Sequence, residues 1–322
     1  MKIGVVGCGA VGSYYGARLC QTGRHEVHFL LRSDYDAVRR QGVRIHSPQG
    51  NLEVRPRAAS DPATIGVCDL VLIGLKTTAN AQFPHLLPPL VGTQTAVITL
   101  QNGLGNEDQL ARLFPKEQIL GALCFVCLNR VAPGVIRHTD HGNIVLGEFQ
   151  RPPAARTHAL ADLFRAAGVP CEVSNHLERA HWEKLTWNIP FNGLGVAGVA
   201  GYDAVVRGQL PPGTPLGPTL PTDQLLDSGK WERLLCELMR EVIAAASALR
   251  FPIADELVQR QIDRTRTMGA YKASTLLDFE RGLPQELESL FLEPHRRGLR
   301  AGAVLPRLAA LCALLPQLSH CR

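Results

Sequence analysis

The stretch Lys2-Ile-Gly-Val-Val-Gly-Cys-Gly-Ala-Val-Gly12 decides the fold expected for this chain. Residues 2–8 form a short apolar run, which predicts a buried strand. Residues 9–22 place apolar side chains at helical spacing, so a helix is expected to follow the strand directly. The glycines between them fall where a chain must turn sharply from strand to helix.

Six residues form this turn and match the pattern Gly-x-Gly-x-x-Gly: Gly7, Cys8, Gly9, Ala10, Val11 and Gly12. In a strand–turn–helix context, Gly7 permits the tight turn and Gly9 lets the backbone approach a pyrophosphate. Gly12 allows close packing of helix on strand, and the helix N-terminus offers N–H groups to phosphate. The sequence therefore predicts a dinucleotide site, with a glycine-rich turn that binds nothing as the alternative.

Apolar runs farther along the chain alternate with helical patterns. Four of these runs are predicted strands: residues 27–31, 69–75, 96–100 and 119–126. Such alternation indicates βαβ units and a mainly parallel sheet. Residues 135–138 and 143–146 flank Asp140-His141-Gly142, a hairpin signal that predicts antiparallel strands added to the sheet.

The chain has a helical pattern after residue 176. Four helices are predicted there: residues 177–192, 230–250, 254–277 and 286–299. Residues 208–229 hold five prolines and four glycines, so we expect a long surface loop. The uncharged residues 185–202 include asparagines, a proline and glycines, which favours buried interior over a membrane span.

The predicted fold class is therefore α/β, with two domains. Residues 1–175 are expected to form a Rossmann-type parallel sheet with added antiparallel strands. Residues 176–322 are expected to form an all-helical domain that includes the Pro/Gly-rich insert at 208–229. The length of 322 residues is enough for each domain to bury its own core.

Composition narrows the class of protein further. Hydrophobic residues make up 45% of the chain and the formal charge is only +5, which excludes wholesale disorder. The nine cysteines are odd in number and irregularly spaced, so we expect reduced thiols in a cytoplasmic protein. Cys124 and Cys127 have no second pair to complete a zinc site, and we expect no metal. The sequence has neither a basic helix nor a zinc pattern, so we expect no nucleic-acid partner.

Arg32 follows the second predicted strand, 20 residues after Gly12. An NAD site would place Asp or Glu near this point to bind the ribose 2′-hydroxyl. A guanidinium instead suits a 2′-phosphate. The expected cofactor is therefore NADPH/NADP, with an exposed arginine at a strand end as the alternative.

Lys76 and Asn102 each follow a predicted strand, in Gly-Leu-Lys-Thr-Thr and Leu-Gln-Asn-Gly respectively. Ligands of open parallel sheets bind beyond the carboxyl ends of the strands. Both side chains are therefore candidates to face the nicotinamide end of the cofactor, although either alone would be an ordinary polar residue at a strand end.

Lys184, Asn188 and Asn192 are spaced i, i+4, i+8 in a predicted helix, and so share one face. The surrounding residues are mostly apolar, so this lysine is expected to be partly buried, which favours its neutral form and suits proton transfer. The spacing equally allows a lysine that reaches to solvent beside two buried asparagines bound to backbone.

Taken together, these motifs resemble the ketopantoate reductase (2-dehydropantoate 2-reductase) family. The matching pieces are the glycine loop, Leu-Lys-Thr at 75–77, Gln-Asn-Gly at 101–103 and Lys-x-x-x-Asn-x-x-x-Asn at 184–192. Residues 272–278 are similar to the serine segment of that family, and Glu286 follows twelve residues after Ser274. The resemblance covers nearly the whole chain except the insert. The sequence around Glu286 and within the lysine helix is more similar to a paralogous branch.

The resemblance implies an NADPH-dependent reduction of a 2-oxo acid, with 2-dehydropantoate as the leading substrate on the route to pantothenate and coenzyme A. It implies that Lys184 is the general acid and that Glu286 binds the substrate hydroxyl and helps to hold Lys184. Asn188, Asn192 and Ser274 would bind the substrate carboxylate and hydroxyl. The resemblance also implies that Lys76 and Asn102 position the nicotinamide and its ribose.

Two alternatives remain open from the sequence. One is a reductase of another small oxo or imino acid, and the other is a catalytically silent NADPH-binding sensor. A sensor needs the glycine loop and Arg32, but it needs neither Lys184 nor Glu286, so the presence of both favours an enzyme. The expected partner is a small-molecule 2-oxo acid, without nucleic acid or membrane, and the helical domain could support a homodimer.

Overall fold

The computed structural model describes residues 1–227 and 229–319. By internal contacts the chain divides into two compact units, Met1–Leu177 and Glu178–Arg322. Cys321, which is among the nine cysteines considered above, lies outside the described residues. Each unit is described in turn.

The first unit is built on one mixed sheet. Its ten strands, counted over the described residues, are β1 Lys2–Val6, β2 Glu26–Leu30, β3 Val43–His46, β4 Leu52–Val54, β5 Arg57–Ala59, β6 Cys68–Ile73, β7 Val91–Thr99, β8 Ile119–Ala132, β9 Val135–Glu148 and β10 Cys171–Val173. Its helices are α1 Ala10–Gln21, α2 Tyr35–Gln41, α3 Pro62–Ile65, α4 Phe83–Leu86, α5 Asn106–Leu110 and α6 Ala155–Ala166. Short 3₁₀ helices lie at Thr77–Gln82, Pro88–Leu90 and Lys116–Gln118.

The strand order is β4-β3-β9-β8-β7-β6-β1-β2-β5, with β10 paired to β9. Parallel pairing joins six neighbouring strands, in the order β5, β2, β1, β6, β7 and β8. The pair β8 and β9 is antiparallel. Alternating side chains of each strand feed two cores, for example Val5 in one and Val6 in the other. The predicted Rossmann-type sheet with added antiparallel strands is confirmed.

The predicted hairpin around residues 140–142 is wrong. The chain instead turns at Pro133-Gly134, where Gly134 has φ +67°, and β9 runs without interruption from Val135 to Glu148. His141 and Gly142 have positive φ because they form a bulge, at which the register with β8 shifts. Residues 141 and 142 therefore do adopt the positive φ typical of a hairpin turn, but they form a bulge within β9 and not a turn.

The described residues of the second unit contain helices joined by irregular segments and no strand. Its helices are α7 Leu177–Ala197, α8 Tyr202–Arg207, α9 Thr222–Leu225, α10 Lys230–Ala248, α11 Glu256–Arg266, α12 Ser274–Glu280, α13 Glu293–Arg300 and α14 Pro306–Ser319. A 3₁₀ helix lies at Gly198–Ala200 and a π-helix at Glu288–Leu292. The apolar half of α7 is buried, as expected for residues 185–202, and none of the helices described is both long and apolar enough to cross a membrane.

Two predictions for this unit need correction. The single helix expected over 254–277 is two helices, because Gly269 has φ +63° and its carbonyl accepts a hydrogen bond from the Thr222 hydroxyl. The insert at 208–229 is less irregular than expected, since it contains α9 and buries Thr222 and Leu225. Its residue 228 lies outside the described part of the chain.

The eight cysteines within the described residues are free thiols, as expected. Burial raises the pKa of Cys68 and of Cys171 to about 11. Both thiols are therefore protonated at neutral pH, which makes them packing residues rather than nucleophiles.

Candidate active site

Close backbone packing shapes the glycine loop between β1 and α1. Gly7 has φ +87°, and a Cβ there would overlap the backbone nitrogen of Leu75. A Cβ on Gly12 would overlap the carbonyl oxygen of Gly7, and one on Gly74 would lie 2.7 Å from Gly12. Three glycines thus let the ends of β1 and β6 approach the start of α1. Gly74 was not singled out from the sequence, although it precedes the Leu-Lys-Thr motif.

Gly9 differs from its neighbours because no protein atom lies within 4 Å of an added Cβ. Packing of the chain on itself therefore does not require glycine at this position, whereas a phosphate held close to the backbone would. Gly9 is the N-cap of α1, so the first N–H groups of this 12-residue helix have no partner within the helix. Ser13 fixes the loop by donating its hydroxyl to the Cys8 carbonyl at 2.9 Å. These residues fit a pyrophosphate.

Arg32 lies exposed just beyond the carboxyl end of β2. Within residues 1–227 and 229–319, its guanidinium has neither a hydrogen bond nor an ion pair. A fixed positive charge that the fold does not use is what a 2′-phosphate requires. The structure therefore leaves Arg32 available for the role expected of it.

A buried amide network holds the strand-end loops that carry Lys76 and Asn102. The Gln101 amide nitrogen donates to the Leu75 carbonyl at 3.0 Å and to Asn80 Oδ1 at 2.7 Å. Asn80 donates to Asn106 Oδ1 at 3.0 Å, and Asn106 donates to the Asn102 carbonyl at 3.1 Å. The network ties together the ends of β6 and β7. Asn80, Gln101 and Asn106 were not predicted from the sequence to support the site, although the polar run Gln-Asn-Gly was a signal.

In the second unit, α7 carries Lys184, Asn188 and Asn192 on one face, because four residues advance little more than one turn. Lys184 is half-buried, and both asparagines are buried. The helix continues through Pro190 to Ala197, beyond its expected end at residue 192. Because Lys184 is partly buried, its charge is less screened than it would be on an open surface.

The Asn192 side chain binds backbone at both ends. Its Oδ1 accepts the Thr275 N–H at 2.9 Å, and its Nδ2 donates to the Asn188 carbonyl at 2.9 Å. The amide thereby joins α7 to the first turn of α12, where Ser274 is exposed. This is the backbone-bound arrangement left open above, and it leaves one Nδ2 hydrogen for another acceptor. Asn188, Asn192 and Ser274 are thus brought together.

Glu286 is buried with 6% of its surface exposed. It precedes the helical residues that begin at Leu287, so the expectation that it lies in the first turn of a helix is wrong by one residue. Its carbonyl accepts the Leu290 N–H at 3.2 Å, a bond of the α-helical i to i+4 type in the turn that leads into the π-helix Glu288–Leu292. The wider π turn is a feature found frequently at functional sites.

Comparison with known families resolves the class of protein. The model of "Ketopantoate reductase PanE/ApbA" matches residues 3–151, and the model of "Ketopantoate reductase PanE/ApbA C terminal" matches residues 218–319. The chain belongs to the ketopantoate reductase PanE/ApbA family. Membership makes it an NADP-dependent oxidoreductase and confirms the resemblance inferred from the motifs.

Individual ketopantoate reductases match over nearly the full chain. A 2-dehydropantoate 2-reductase of Nostoc is 35% identical, covering 96% of this chain and 92% of the relative. A crystal structure of the Geobacter metallireducens 2-dehydropantoate 2-reductase is 41% identical, with a TM-score of 0.88, covering 98% of this chain and 99% of that one. The corresponding Methylococcus capsulatus structure is 31% identical, with a TM-score of 0.87 and coverages of 99% and 97%.

Proposed function

We propose that the protein reduces 2-dehydropantoate to (R)-pantoate with NADPH, in pantothenate and coenzyme A biosynthesis. The observation that carries the proposal is the similarity to 2-dehydropantoate 2-reductases at 35% and 41% identity over nearly the full chain. Similarity of this extent includes the glycine loop in the first unit and the lysine helix in the second.

In this proposal, residues 1–175 bind NADP and residues 176–322 carry the substrate and catalytic residues. The loop from Gly7 to Gly12 holds the pyrophosphate at the N-terminus of α1, and Arg32 binds the 2′-phosphate. Lys76 and Asn102 orient the nicotinamide and its ribose, since both follow strands of the parallel sheet. The bound cofactor supplies a hydride to the carbonyl carbon of the substrate.

Lys184 acts as the general acid. As negative charge develops on the carbonyl oxygen, the ammonium stabilises it and then gives its Nζ proton to that oxygen. Glu286 accepts a hydrogen bond from the substrate hydroxyl and helps to hold the Lys184 ammonium. The burial of Glu286 strengthens both interactions, because electrostatic forces are screened less away from water.

Asn188 and Ser274 donate hydrogen bonds to the substrate carboxylate and hydroxyl. Asn192 contributes its remaining Nδ2 hydrogen while its other bonds fix the start of α12 beside Ser274. Holding the substrate in one orientation matters as much as the acid, because correct placement removes much of the entropic barrier.

Two features outside the reaction complete the proposal. We propose a cytoplasmic location, which the free thiols support, because an oxidising compartment favours disulfides. We also propose a homodimer, as expected for a chain with a helical second unit. Light scattering on the purified protein measures the assembly, and a monomer at micromolar concentration would refute the dimer.

The decisive experiment follows oxidation of NADPH by the purified protein with 2-dehydropantoate and a small panel of other 2-oxo acids, with NADH in parallel. We expect 2-dehydropantoate with NADPH to give the highest kcat/KM. Turnover of a different 2-oxo acid alone would refute the substrate but keep the reaction class. Tight NADPH binding without turnover of any compound would refute the enzyme and favour a sensor.

A further inference from the structure

The Asp34 carboxylate lies two residues beyond Arg32, close to the place where NAD-binding proteins of this fold use an acid. Two residues of chain span at most about 7 Å, so Asp34 and Arg32 begin from neighbouring backbone. An ionised carboxylate here would repel a 2′-phosphate and could accept a hydrogen bond from a bare ribose hydroxyl. The local sequence therefore holds one residue that favours NADPH and one that favours NADH.

In the structure, the oxygens of the Asp34 carboxylate are occupied by hydrogen bonds from the protein. Arg130, near the end of β8, donates from Nε to Asp34 Oδ2 at 2.8 Å and from Nη2 to Oδ1. Gly134, at the β8–β9 turn, donates its N–H to Oδ2 at 3.1 Å, and Ser33 donates its hydroxyl to Oδ1 at 3.1 Å. Each carboxylate oxygen thus accepts two hydrogen bonds, which fills its acceptor sites.

We propose that Arg130 is a positioning residue for cofactor selectivity: it neutralises Asp34 and occupies its oxygens, so that Arg32 alone sets the charge seen by the 2′-phosphate. The inference rests on the proposed use of NADPH. Arg130 lies 98 residues from Arg32 in the sequence, so no local motif contains it. Only the long β8–β9 hairpin brings it to the turn after β2.

Electrostatics support this placement. Burial acts to raise the pKa of Asp34, but hydrogen bonds from Arg130 and Gly134 outweigh it and hold the pKa below its ordinary value. The carboxylate also reaches the glycine loop: burial is the main cause of the raised pKa of the Cys8 thiol, and the charge of Asp34 adds to it. Asp34 therefore lies within electrostatic range of the loop proposed to hold the cofactor.

The test measures equilibrium Kd values of NADPH and NADH, by cofactor fluorescence, for the parent and for Arg130→Met. Exposing the Asp34 charge should raise the Kd of NADPH about tenfold and leave that of NADH unchanged or lower. In the double variant Asp34→Asn/Arg130→Met the charge is gone, so the Kd of NADPH should return to within about threefold of the parent. Asp34→Asn alone keeps the shape and should bind NADPH at least as tightly as the parent.

The first unit offers a matched control. Arg156 donates from Nε and Nη2 to the two oxygens of Glu148, whose side chain is fully buried, so this is a second arginine–carboxylate pair. Glu148 lies opposite Leu120 at the start of β8, away from the carboxyl ends that carry the proposed cofactor residues. Arg156→Met should therefore lower Tm without changing the ratio of the two Kd values.

The outcomes separate the inference from the function on which it rests. A parent without preference for NADPH refutes the cofactor assignment. A parent that prefers NADPH, with an Arg130→Met variant whose Kd ratio stays within about twofold, overturns the inference alone. It is also overturned if the double variant keeps the full loss, because Arg130 would then act directly, or if Asp34→Asn by itself weakens NADPH binding tenfold.

Discussion

The glycine loop and the lysine helix hold functional groups by different means. In the loop, Gly7 and Gly12 allow backbone to touch backbone, and any Cβ would overlap a neighbouring main-chain atom. On α7, the backbone is helical, and the side chains of Lys184 and Asn192 are the groups proposed to act on the substrate. One region offers N–H groups placed by the fold, and the other offers side chains placed by helical spacing.

This difference between backbone and side-chain groups determines whether a mutation can change function without changing stability. Changing the loop alters packing and ligand binding together, because the same atoms serve both. Changing a side chain on α7 can remove chemistry while the helix stays, since alanine is the best helix former. Gly9 and Asn192 are exceptions. Gly9 is a loop residue where an added Cβ would meet no other protein atom within 4 Å, and Asn192 is a helix residue whose side chain joins two helices.

Lys184→Ala gives the largest expected effect. Loss of the proposed general acid should lower kcat about 10²–10⁴-fold, whereas the Kd of NADPH should change little because the proposed cofactor residues lie in the first unit. Steady-state kinetics and fluorescence titration measure the two quantities. Lys230→Ala is the control, since Lys230 lies over the Tyr202 ring at 4.5 Å and has no proposed catalytic role. An equal loss of kcat and NADPH affinity would identify Lys184 as a structural residue.

Gly12→Ala and Gly9→Ala sharpen the comparison within the loop. The first should cost about 2–4 kcal/mol of unfolding free energy, because the new Cβ overlaps the Gly7 carbonyl oxygen. The second should cost less than about 1 kcal/mol but weaken NADPH binding tenfold or more, since only the ligand approaches that position. Thermal unfolding and NADPH titration give both numbers. Normal NADPH affinity in Gly9→Ala would remove the pyrophosphate from this loop.

The first unit was the more predictable from sequence. Buried parallel strands are short apolar runs, and the turn between β1 and α1 has its own glycine pattern, so local residues defined β1, α1, β2, β6, β7 and the start of β8. Strands β3, β4 and β5 were missed because they are only three or four residues long and carry exposed polar side chains. The bulge at Gly142 was mistaken for a turn because both use positive φ.

The second unit was less predictable because its helix boundaries depend on distant contacts. Amphipathic α10 was found from its apolar spacing, but the break between α11 and α12 relies on Thr222, which is 47 residues from Gly269. Among the candidate site residues, those in short motifs could be proposed from the sequence, whereas Gln101 and Asn80 support the strand ends through buried hydrogen bonds that no spacing reveals.

Asn192→Ala tests whether the helix residue also has a structural role. Its loss leaves the Thr275 N–H buried without its acceptor, which should cost about 1–3 kcal/mol of unfolding free energy and raise the KM of the substrate. Asn51→Ala is the matched control: Asn51 Oδ1 also accepts a backbone N–H, from Ser47 at 3.2 Å, but at an exposed site. A stability loss no larger than that of Asn51→Ala would make Asn192 a ligand-binding residue alone.

Two carboxylates, one in each unit, should give the smallest effects, with opposite pH dependence. The hydrogen bonds to Asp34 outweigh burial and lower its pKa, so its stabilisation is present above the ordinary value of 3.8 and is lost as pH falls through the lower folded value. Glu241 accepts the Arg307 and Leu308 N–H groups at 2.8 Å, but burial dominates and raises its pKa. Its contribution is therefore greatest below 4.5 and is lost as pH rises through the raised folded value.

Calorimetry of Asp34→Asn and Glu241→Gln across acidic to neutral pH measures both contributions, as the deficit in unfolding free energy of each variant relative to the parent. The deficit of Asp34→Asn should widen as pH rises, whereas that of Glu241→Gln should shrink, each by less than about 1 kcal/mol because Asp34 pairs with a partly exposed arginine and Glu241 is only partly buried. Deficits that move in the same direction would mean that net charge, and not the local partners of each carboxylate, governs the acid stability of the two units.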